Sequence, residues 1–390
     1  MSDRREKYAI DLFSGFGGLS QGLKDAGFKI LACCEIRPEA REAYRLNHGN
    51  VEAIEDIRES NPIELMEKLS LQRGDLDLLA GCPPCQGFSS IRTHNHAAAD
   101  DERNELIFQV VRFVEAFYPK FILIENVPRL LQDVRLVRFK EMLSPLGYKF
   151  ADGVLDAQNF GVPQRRKRMI LVGSRFGDPA LPRILDGERK TVRVAIKGLK
   201  PPKGKDGVTA RRLVRFRQHF SPEVLRRIKS VKSSRTDLPD DLVLDCHKKY
   251  PRGFRDVYGR MDWDDVAPTI TRSSHNPSKG RFIHPSLNRG LNMFEALVLQ
   301  GFPPTYKIQP GIGLGKVASM IGEAFPPPMA KAQASCIMEQ LCVIEKRQQG
   351  GSIEHLETGE GKKNVAVYLR SDRTLKGQTT CKHALRHKGV

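Results

Sequence analysis

Short apolar runs alternate with stretches of helical periodicity from residue 7 to about residue 173, and this alternation constrains the fold more strongly than any other feature. The runs typical of strands are "YAIDLF", "KILACCEI", "DLDLLAG", "KFILIENV" and "RMILVGSRF", and those typical of helices are "GLSQGLKDAGF", "PEAREAYRLNHG" and "NELIFQVVRFVEAFYP". Strands and helices in alternation predict a parallel sheet that helices cover on both faces. We therefore expect an α/β fold that binds its ligands at the carboxyl ends of the strands.

A change of pattern divides the chain after residue 174. Clusters of Pro, Gly and charged residues run to about residue 288, and "NMFEALVLQGFPP" and the stretch from Leu314 to about residue 345 are again helical in pattern. We predict one domain from residues 1–174 and 289–345, and a second, smaller domain over 175–288. The polar, Gly-rich tail at 346–390 is predicted to be disordered, with "NVAVYLRS" as one candidate strand.

Composition excludes two classes of protein. No run approaches the roughly 18 consecutive apolar residues of a membrane-spanning helix. The first residues, "MSDRREKYAI", lack the apolar core of a secretory signal, and the eight cysteines show no spacing typical of a disulfide framework. We therefore expect a cytoplasmic protein in a reducing compartment.

The charge of the chain favours a polyanionic partner. The formal net charge is +18, and residues 189–235 hold 16 Lys and Arg against two acidic residues. Such a stretch is compatible with a solvated surface or a disordered segment. Apolar and aromatic residues interleave its arginines in "RRLVRFRQHFSPEVLRRI", which favours a folded element whose basic face binds the phosphates of DNA or RNA.

The first strand runs into a Gly-rich turn, "IDLFSGFGG", of a kind that binds ligands at a helix N-terminus. Gly15 and Gly17 are followed by Ser20 rather than by a third glycine, so the NAD fingerprint fails, and without a P-loop lysine a nucleoside triphosphate is not expected. Glu35 ends the next strand and can accept hydrogen bonds from both hydroxyls of a ribose. Asp56 can accept one from the amine of an adenine. The same spacing fits an ordinary tight turn, and both interpretations stay open at this point.

The stretch "GCPPCQGFSS" offers two thiols, Cys82 and Cys85, and three interpretations. A redox CxxC pair is expected at the helix N-terminus of a thioredoxin-like unit, and a zinc site needs two further ligands at close spacing, which the chain does not show. A nucleophile is favoured, because Pro83 and Pro84 stiffen the backbone before Cys85 and the strand end presents its thiol at the ligand-binding edge of the sheet. In this interpretation Cys82 is a packing residue.

Two further segments supply polar side chains to the same edge. Glu125 and Asn126 end the buried strand "KFILIEN". Burial usually raises the pKa of a carboxyl group, which suits proton donation to a ring nitrogen, although a helix-capping role is an alternative. In "VPQRRKRMILVG" the period of a strand predicts one face with Gln164, Arg166 and Arg168, and an opposite face with Arg165 and Lys167. The first face can stabilise a thiolate and a bound ring, and the second can contact phosphates.

These motifs resemble those of the cytosine-5 DNA methyltransferases of bacterial type. They occur in the order of that family as "DLFSGFGG", Glu35, "EDI", "PPCQGFS", "RNELI", "ENV", "QRRKR", "GRFIHP", "LNMFEALVLQGFPP" and "IGEAFPPP", and they cover about residues 8–335. The resemblance implies a Rossmann-like methyltransferase sheet flanked by helices, with 175–288 as a smaller target-recognition domain that binds DNA. It also implies S-adenosyl-L-methionine as the methyl donor.

The resemblance assigns site residues by position. It implies catalytic roles for Cys85, Gln86, Glu125, Asn126, Arg166 and Arg168. It implies a cofactor pocket, without a metal, formed by Asp11, Phe13, Gly15, Gly17, Gly18, Leu19, Glu35, Ile36, Asp56, Ile57, Pro84, Leu106, Glu323 and Ala324. Two departures stand out: residues 322–326 read Gly-Glu-Ala-Phe-Pro where the family commonly has Gly-Asn-Ala-Val-Pro, and Phe294 precedes Glu295 where an arginine is usual. Glu323 therefore changes one expected cofactor contact.

The implied chemistry is an addition followed by an elimination. Cys85, as a thiolate, adds to carbon 6 of cytosine while Glu125 protonates or hydrogen-bonds N3; carbon 5 takes the methyl group, and loss of the carbon 5 proton frees the cysteine. The base must be flipped out of the duplex, and the polar segment after Cys85 is expected to close over it. The implied partner is double-stranded DNA, with a cognate restriction endonuclease as a candidate, and we expect a monomer at the nucleoid with no membrane contact.

Two alternatives use the same scaffold. One is an RNA cytosine methyltransferase, since the family includes a branch that acts on transfer RNA. That branch has little recognition domain, whereas this chain devotes residues 175–288 to one. The other is a binding protein that has lost catalysis, which should lack Cys85, Glu125 or Arg166, and all three are present.

Overall fold

A seven-stranded sheet forms the centre of the fold. A computed structural model describes residues 5–84, 105–184, 187–216, 220–232, 238–248 and 256–348. Within them the strands are Lys7–Leu12 (β1), Phe28–Cys34 (β2), Glu52–Ile54 (β3), Leu78–Gly81 (β4), Phe121–Asn126 (β5), Lys149–Asp156 (β6) and Lys167–Ser174 (β7). They lie in the order β3-β2-β1-β4-β5-β7-β6, and the first five pair in parallel, as the alternation predicts.

The far edge of the sheet departs from the parallel arrangement. β7 is antiparallel to both β5 and β6, and it pairs Glu125 with Ile170 and Asn126 with Met169. Among the described strands β7 is therefore the one that runs against the others, and β6 runs in the same direction as β5. The sequence pattern does not indicate β6, because "KFADGVLD" has half-exposed side chains along most of its length and lacks an apolar run.

Helices cover both faces of the sheet. Their bounds are Gly18–Asp25 (α1), Pro38–His48 (α2), Pro62–Lys68 (α3), Ile107–Phe117 (α4), Val134–Leu143 (α5), Val192–Ile196 (α6), Val208–Arg215 (α7), Pro222–Ser230 (α8), Asp245–Lys248 (α9), Met293–Leu299 (α10), Leu314–Glu323 (α11) and Pro327–Gln348 (α12). Residues of α4 and α5 share one core with Ile122 and Ile124, whereas residues of α1 and α12 share another with Phe121 and Leu123. Successive side chains of a strand point to opposite faces, so β5 contributes to both cores.

Helix α12 returns to the sheet and packs on α1. A side chain at Gly22 would start 2.4 Å from Cβ of Ala330, so the two helices approach closely where no side chain intervenes. The candidate strand "NVAVYLRS" lies outside the described residues. Among the described residues, none of the helices has the length and apolarity to cross a membrane.

A further core joins the segment 175–288 to the helices that follow it. Val192 of α6 and Leu213 of α7 belong to the same buried cluster as Phe294 of α10 and Ile321 of α11. The domain boundaries at residues 174 and 289 stay a prediction, since this cluster includes residues on both sides of the second boundary.

A smaller core lies within the same segment. Its buried members are Ile228, Val231, Val257, Tyr258 and Ile283. The guanidinium of Arg260 lies beside it and donates hydrogen bonds to the carbonyl oxygens of Val231, His284, Leu287 and Ile228. These bonds connect α8 to the loop at 284–288 and give the segment a structure of its own.

Candidate active site

The ends of neighbouring parallel strands meet at one edge of the sheet. Leu12, the last residue of β1, pairs with Cys34 of β2 and with Gly81 of β4. The turn after β1, Glu35 after β2 and Cys82 after β4 therefore lie side by side at the carboxyl edge, where α/β sheets bind ligands.

The turn after β1 has a left-handed backbone. Gly15 and Gly17 have φ angles of 53° and 90°. A side chain at Gly17 would start 2.4 Å from Nε2 of His48 and 2.7 Å from the hydroxyl oxygen of Tyr306, so only glycine fits there. The hydroxyl of Tyr306 donates to the carbonyl oxygen of Phe16 across 2.7 Å, which fixes the turn from the C-terminal part of the chain.

Glu35 presents one of its carboxylate oxygens to this turn. The side chain is buried, and Oε1 accepts hydrogen bonds from the backbone N–H and from Nε of Arg37 at 2.9 and 2.8 Å. A Cβ atom at Gly15 would lie 3.7 Å from Oε2. No described residue donates a hydrogen bond to Oε2, so this atom can accept one from the hydroxyl group of a ligand.

Arg37 is a site residue that the sequence reasoning missed. Its Nη1 donates to Oε2 of Glu323 across 2.6 Å, and Nη1 of Arg272 lies 3.6 Å from the other oxygen of Glu323. Burial opposes the charge of Arg37, but the carboxylates of Glu35 and Glu323 outweigh it, so the pKa of Arg37 lies above its ordinary value. The only signal for this residue in the sequence is its position two residues after Glu35.

Other predicted pocket residues lie at or near the same edge. Asp56 follows β3, and its ion pair with Arg58, at 2.5 Å, lowers the pKa of the carboxyl group. Ile36 is 58% exposed and Ile57 is buried. The partly buried positions are Phe13, Pro84 and Leu106. An exposed apolar side chain next to an available carboxylate oxygen fits a ligand with a flat ring and a ribose.

Two predicted cofactor residues lie behind the turn. Asp11 is fully buried, and its Oδ2 accepts a hydrogen bond from Oγ of Ser20 at 2.6 Å. Burial raises the pKa of Asp11 to about 7, and its Oδ1 has no hydrogen-bond partner among the described residues. Leu19 is buried in the core that α1 and α12 share. Direct contact of either residue with a cofactor stays a prediction.

Two further predicted cofactor residues, Gly18 and Ala324, lie where the start of α1 meets the C-terminal part of the chain. A side chain at Gly18 would start 2.1 Å from the carbonyl oxygen of Phe325. The carbonyl oxygen of Ala324 accepts a hydrogen bond from Nε2 of Gln300. Phe325 thus packs directly on the start of α1, and contact of Gly18 or Ala324 with a cofactor stays a prediction.

Cys82 is the first of the two thiols in the proline-containing loop. Its N–H donates to the carbonyl oxygen of Leu12 at 3.2 Å, and its side chain packs against the core shared by α1 and α12. Burial and then the charge of Glu125 raise the pKa of this thiol well above its ordinary value. A protonated thiol is a poor nucleophile, which supports a packing role for Cys82. Cys85 and Gln86 lie outside the described residues, so their roles stay predictions.

Glu125 and Asn126 form hydrogen bonds in different directions at the end of β5. Nε of Arg168 lies 2.8 Å from Oε1 of Glu125, and both side chains are largely buried. Nδ2 of Asn126 donates to the carbonyl oxygen of Pro83 at 3.0 Å, and Oδ1 accepts from the N–H of Val127. Asn126 therefore anchors the backbone just before the cysteine loop, and Glu125 is paired with an arginine rather than capping a helix.

The alternation predicted around residue 166 is present. Gln164 and Arg166 are buried, whereas Arg165 and Lys167 are exposed. Of the inward-facing set, only Arg168 forms an ion pair with Glu125.

Gln164 and Arg166 connect the start of β7 to the C-terminal part of the chain. Nη1 and Nη2 of Arg166 donate to the carbonyl oxygens of Ile270 and Gly322 at 3.0 and 2.9 Å. Burial and then the charge of Arg168 lower the pKa of Arg166. Gln164 donates to Leu299 and Gln300 and accepts from Ile270. These bonds hold the amide of Gln164 and the guanidinium of Arg166 inside the fold, and the expectation that they stabilise a bound ring or a thiolate stays a prediction.

A cleft of about 570 Å³ opens beside Arg168. Its lining residues are Asp156, Arg165, Lys167, Arg168, Asp256, Pro268, Thr269 and Arg281. Basic side chains outnumber acidic ones, which fits an anionic ligand. Arg281, whose guanidinium lies 2.5 Å from the carboxylate of Asp256, was not predicted, and its only signal is its place in "GRFIHP". Within the described part of the chain, no cluster of His, Cys, Asp or Glu could hold a metal ion.

The described residues of the basic stretch at 189–235 include α6, α7 and α8, as expected of a folded element. Several of its arginines nevertheless serve the fold. Arg211 donates to the carbonyl oxygens of Pro202 and Gly204, and Arg212 donates to that of Ile308. Burial lowers the pKa of Arg212. Exposed basic side chains remain at Arg189, Arg215, Lys229 and Lys232.

Comparison with known proteins adds independent information. The family model for C-5 cytosine-specific DNA methylases matches residues 8–339. The Type II methylase M.HgiDII of Herpetosiphon aurantiacus is 31% identical, over 87% of this chain and 97% of its own length. The Type II methyltransferase M1.BsuMI of Bacillus subtilis is also 31% identical, over 82% of this chain and 78% of its own.

The fold is confirmed by solved structures. A structure from Escherichia coli, described as a DNA modification methyltransferase encoded within a prophage, has a TM-score of 0.68 at 23% identity and covers 86% of this chain and 100% of that one. A likeness at this identity establishes the Rossmann-like sheet and its helices. Since the family model extends over most of the residues that form this sheet and the helices that follow it, the chain belongs to the C-5 cytosine-specific DNA methylase family, and it is a DNA cytosine-5 methyltransferase.

Proposed function

We propose that the chain transfers the methyl group of S-adenosyl-L-methionine to carbon 5 of a flipped-out cytosine in duplex DNA, through a covalent adduct with Cys85. The observation that carries this proposal is the ion pair between Glu125 and Arg168, beside the backbone that Asn126 anchors at Pro83. This ion pair places a carboxyl group and a guanidinium at the carboxyl edge of the sheet, where Cys82, Pro83 and Pro84 follow β4.

The residues at the turn after β1 fit the proposed cofactor. S-adenosyl-L-methionine, when bound, supplies a methyl group on a positively charged sulfur. Oε2 of Glu35 is available to accept from the ribose hydroxyls, and Gly15 lets the backbone approach the ligand closely. The exposed side chain of Ile36 can cover the adenine ring. Asp56 would accept from the adenine amine in addition to its bonds with Arg58.

The chain's own residues carry the steps on the base. The thiolate of Cys85 forms a bond to carbon 6, and the electron pair of the C5–C6 double bond is shared between carbon 5 and N3, where Glu125 donates a proton or a hydrogen bond. Arg168 holds this carboxyl group in place. After carbon 5 has taken the methyl group, a base removes the carbon 5 proton, the double bond forms again, and the sulfur leaves carbon 6.

The cleft beside Arg168 is the proposed path of the DNA. Arg165 and Lys167 line it with exposed side chains, and Arg281 lies in the same lining. A cytosine inside a stacked duplex cannot reach a buried carboxyl group, so the base must be flipped out. We assign target recognition to the segment 175–288, which has a small core and exposed basic side chains.

The cellular role that we propose is protection of DNA from a cognate restriction endonuclease. The names of the two bacterial relatives, which are Type II enzymes, support it. We also propose that the protein acts as a monomer.

Incubation with labelled S-adenosyl-L-methionine and either duplex DNA or transfer RNA tests the proposal. We expect label in DNA and none in transfer RNA, and bisulfite sequencing should then identify one cytosine in a short site. Label in transfer RNA alone would establish the RNA enzyme instead. A protein that binds the cofactor and labels neither substrate would be a binding protein.

A further inference from the structure

Four charged side chains of alternating sign lie in a row beside the turn after β1. Oε1 of Glu35 accepts from Arg37, Arg37 donates to Oε2 of Glu323, and Arg272 lies 3.6 Å from Oε1 of Glu323. The exposed fraction is 7% for the side chain of Glu35, 34% and 33% for those of Arg37 and Glu323, and 62% for that of Arg272. Glu323 is the member that replaces the asparagine common in the family.

Contacts of the preceding residue, Gly322, fix the backbone position of Glu323. A side chain at the preceding residue, Gly322, would start 2.2 Å from the carbonyl carbon of Thr271, so the last turn of α11 lies directly on that backbone. The carbonyl oxygen of Gly322 also accepts the hydrogen bond from Arg166. These contacts hold the backbone of Glu323 in place, so its carboxylate stays within reach of Arg37.

Glu323 determines which carboxylate oxygens of Glu35 the guanidinium of Arg37 can bind. A guanidinium prefers to bind a carboxylate through two nitrogens, one to each oxygen. Here Nε of Arg37 contacts only Oε1 of Glu35, and Nη1 is bound to Glu323. A Cβ atom at Gly15 would lie 3.7 Å from Nη2 of Arg37 as well as from Oε2 of Glu35, so Nη2 is already near that oxygen. If Glu323 were neutral, Nη1 would be released and the guanidinium could turn until Nη2 occupies Oε2.

We propose that Glu323 is a positioning residue for the cofactor and that it acts through Arg37, by holding the guanidinium away from Oε2 of Glu35. The inference rests on the proposed assignment of that oxygen to the ribose of S-adenosyl-L-methionine. A direct contact between Glu323 and the cofactor is not required.

Calorimetric binding of S-adenosyl-L-methionine, in the absence of DNA, tests this role in the full chain. The variants are E323Q, R37Q and the double variant, with E42Q as a control that removes the exposed Glu42–Arg45 pair on α2. We expect E323Q to weaken binding about tenfold, as for the loss of one hydrogen bond to a charged group. In the R37Q background the same substitution should change nothing, because no guanidinium remains to close on Glu35. E42Q should bind as the wild type does.

The outcomes separate the alternatives. A tenfold loss from E323Q in both backgrounds would mean that Glu323 contacts the cofactor itself, and unchanged affinity in E323Q would mean that it does nothing; either result overturns the proposal. E323N, which restores the family's residue, should behave as E323Q does, and it replaces E323Q if that variant does not unfold cooperatively. A wild-type protein that binds no S-adenosyl-L-methionine would contradict the proposed function rather than this inference.

Discussion

Nε of Arg168 lies 2.8 Å from Oε1 of Glu125, and the pair joins the start of β7 to the end of β5. The two residues can meet only because β7 is antiparallel to β5, which brings its first residues to the carboxyl edge of the parallel strands. A parallel β7 would carry Arg168 to the opposite edge. The one departure from the predicted sheet is therefore what delivers the "QRRKR" motif to the site.

Glu125→Gln is expected to lower the rate of the chemical step by about 10²- to 10⁴-fold, the range typical of general acid catalysis, because an amide cannot give a proton to N3. Affinity for S-adenosyl-L-methionine should change little, since Glu35 lies after a different strand. Single-turnover kinetics measures the first quantity and calorimetry the second. Glu141→Gln, at an exposed position of α5, is the matched control. A wild-type single-turnover rate in Glu125→Gln would contradict the assignment.

Replacing Arg165 and Lys167 by Gln should weaken binding to duplex DNA and flatten its salt dependence. Each phosphate contact that is lost should reduce the slope of log K against log salt concentration by about 0.9. Fluorescence anisotropy over a range of salt concentrations gives the slope. An unchanged slope would show that the DNA does not follow this cleft.

Two arginines of the basic stretch at 189–235 are expected to behave differently from Arg165 and Lys167 in the same experiment. Arg211→Gln and Arg212→Gln should leave the salt slope unchanged and lower the thermal stability, because both side chains donate to backbone carbonyl oxygens within the fold. A reduced salt slope in either variant would instead mean that Arg211 or Arg212 contacts the phosphates of the DNA.

The free energy of unfolding should fall as the pH is lowered below about 6.5, the ordinary pKa of histidine. Burial lowers the pKa of His48 to about 3 and that of His284 to about 4. Between pH 6.5 and about 4 the unfolded chain binds protons at these side chains and the folded chain does not, so acid favours unfolding, by roughly 1.4 kcal/mol per pH unit for each histidine. Asp11 acts in the opposite sense, because its raised pKa means that the folded chain binds its proton first.

Urea unfolding at several pH values between 7.5 and 5 measures this dependence. His284→Asn is the informative variant, since Nδ1 of His284 accepts from the N–H groups of Ser286 and Leu287, and the amide oxygen of Asn can do the same. The pH dependence should become shallower in this variant. A slope equal to that of the wild type would mean that His284 is not protonated on unfolding in this window.

The alternation of apolar residues predicted most of the sheet and its covering helices, because the spacing of apolar side chains follows directly from which face of an element is buried. It also predicted that Glu35, Cys82 and Glu125 lie at one edge, since each ends or follows a buried strand and parallel strands end together. The burial of Gln164 and Arg166 followed from the same period of two.

What the sequence did not predict depends on contacts between distant segments. The bond from Arg37 to Glu323 spans 286 positions, and those from Arg212 to Ile308 and from Gln164 to Leu299 span 96 and 135. A basic residue in a basic stretch has the same local pattern whether it faces DNA or donates to a carbonyl oxygen. Only the folded chain distinguishes the two cases.

A 5-fluorocytosine in the recognition site should trap the enzyme on its DNA. If Cys85 adds to carbon 6, its release requires loss of the carbon 5 proton, and fluorine at that position cannot leave as a proton, so elimination stops after methylation. Once bisulfite sequencing has identified the site, a denaturing gel should show a shifted band only with S-adenosyl-L-methionine present. Cys85→Ala should give no band, whereas Cys82→Ala should give one, because Cys82 is a packing residue with a protonated thiol. Transfer to an exocyclic amine would need no adduct, and an active enzyme without the band would therefore disprove the covalent route.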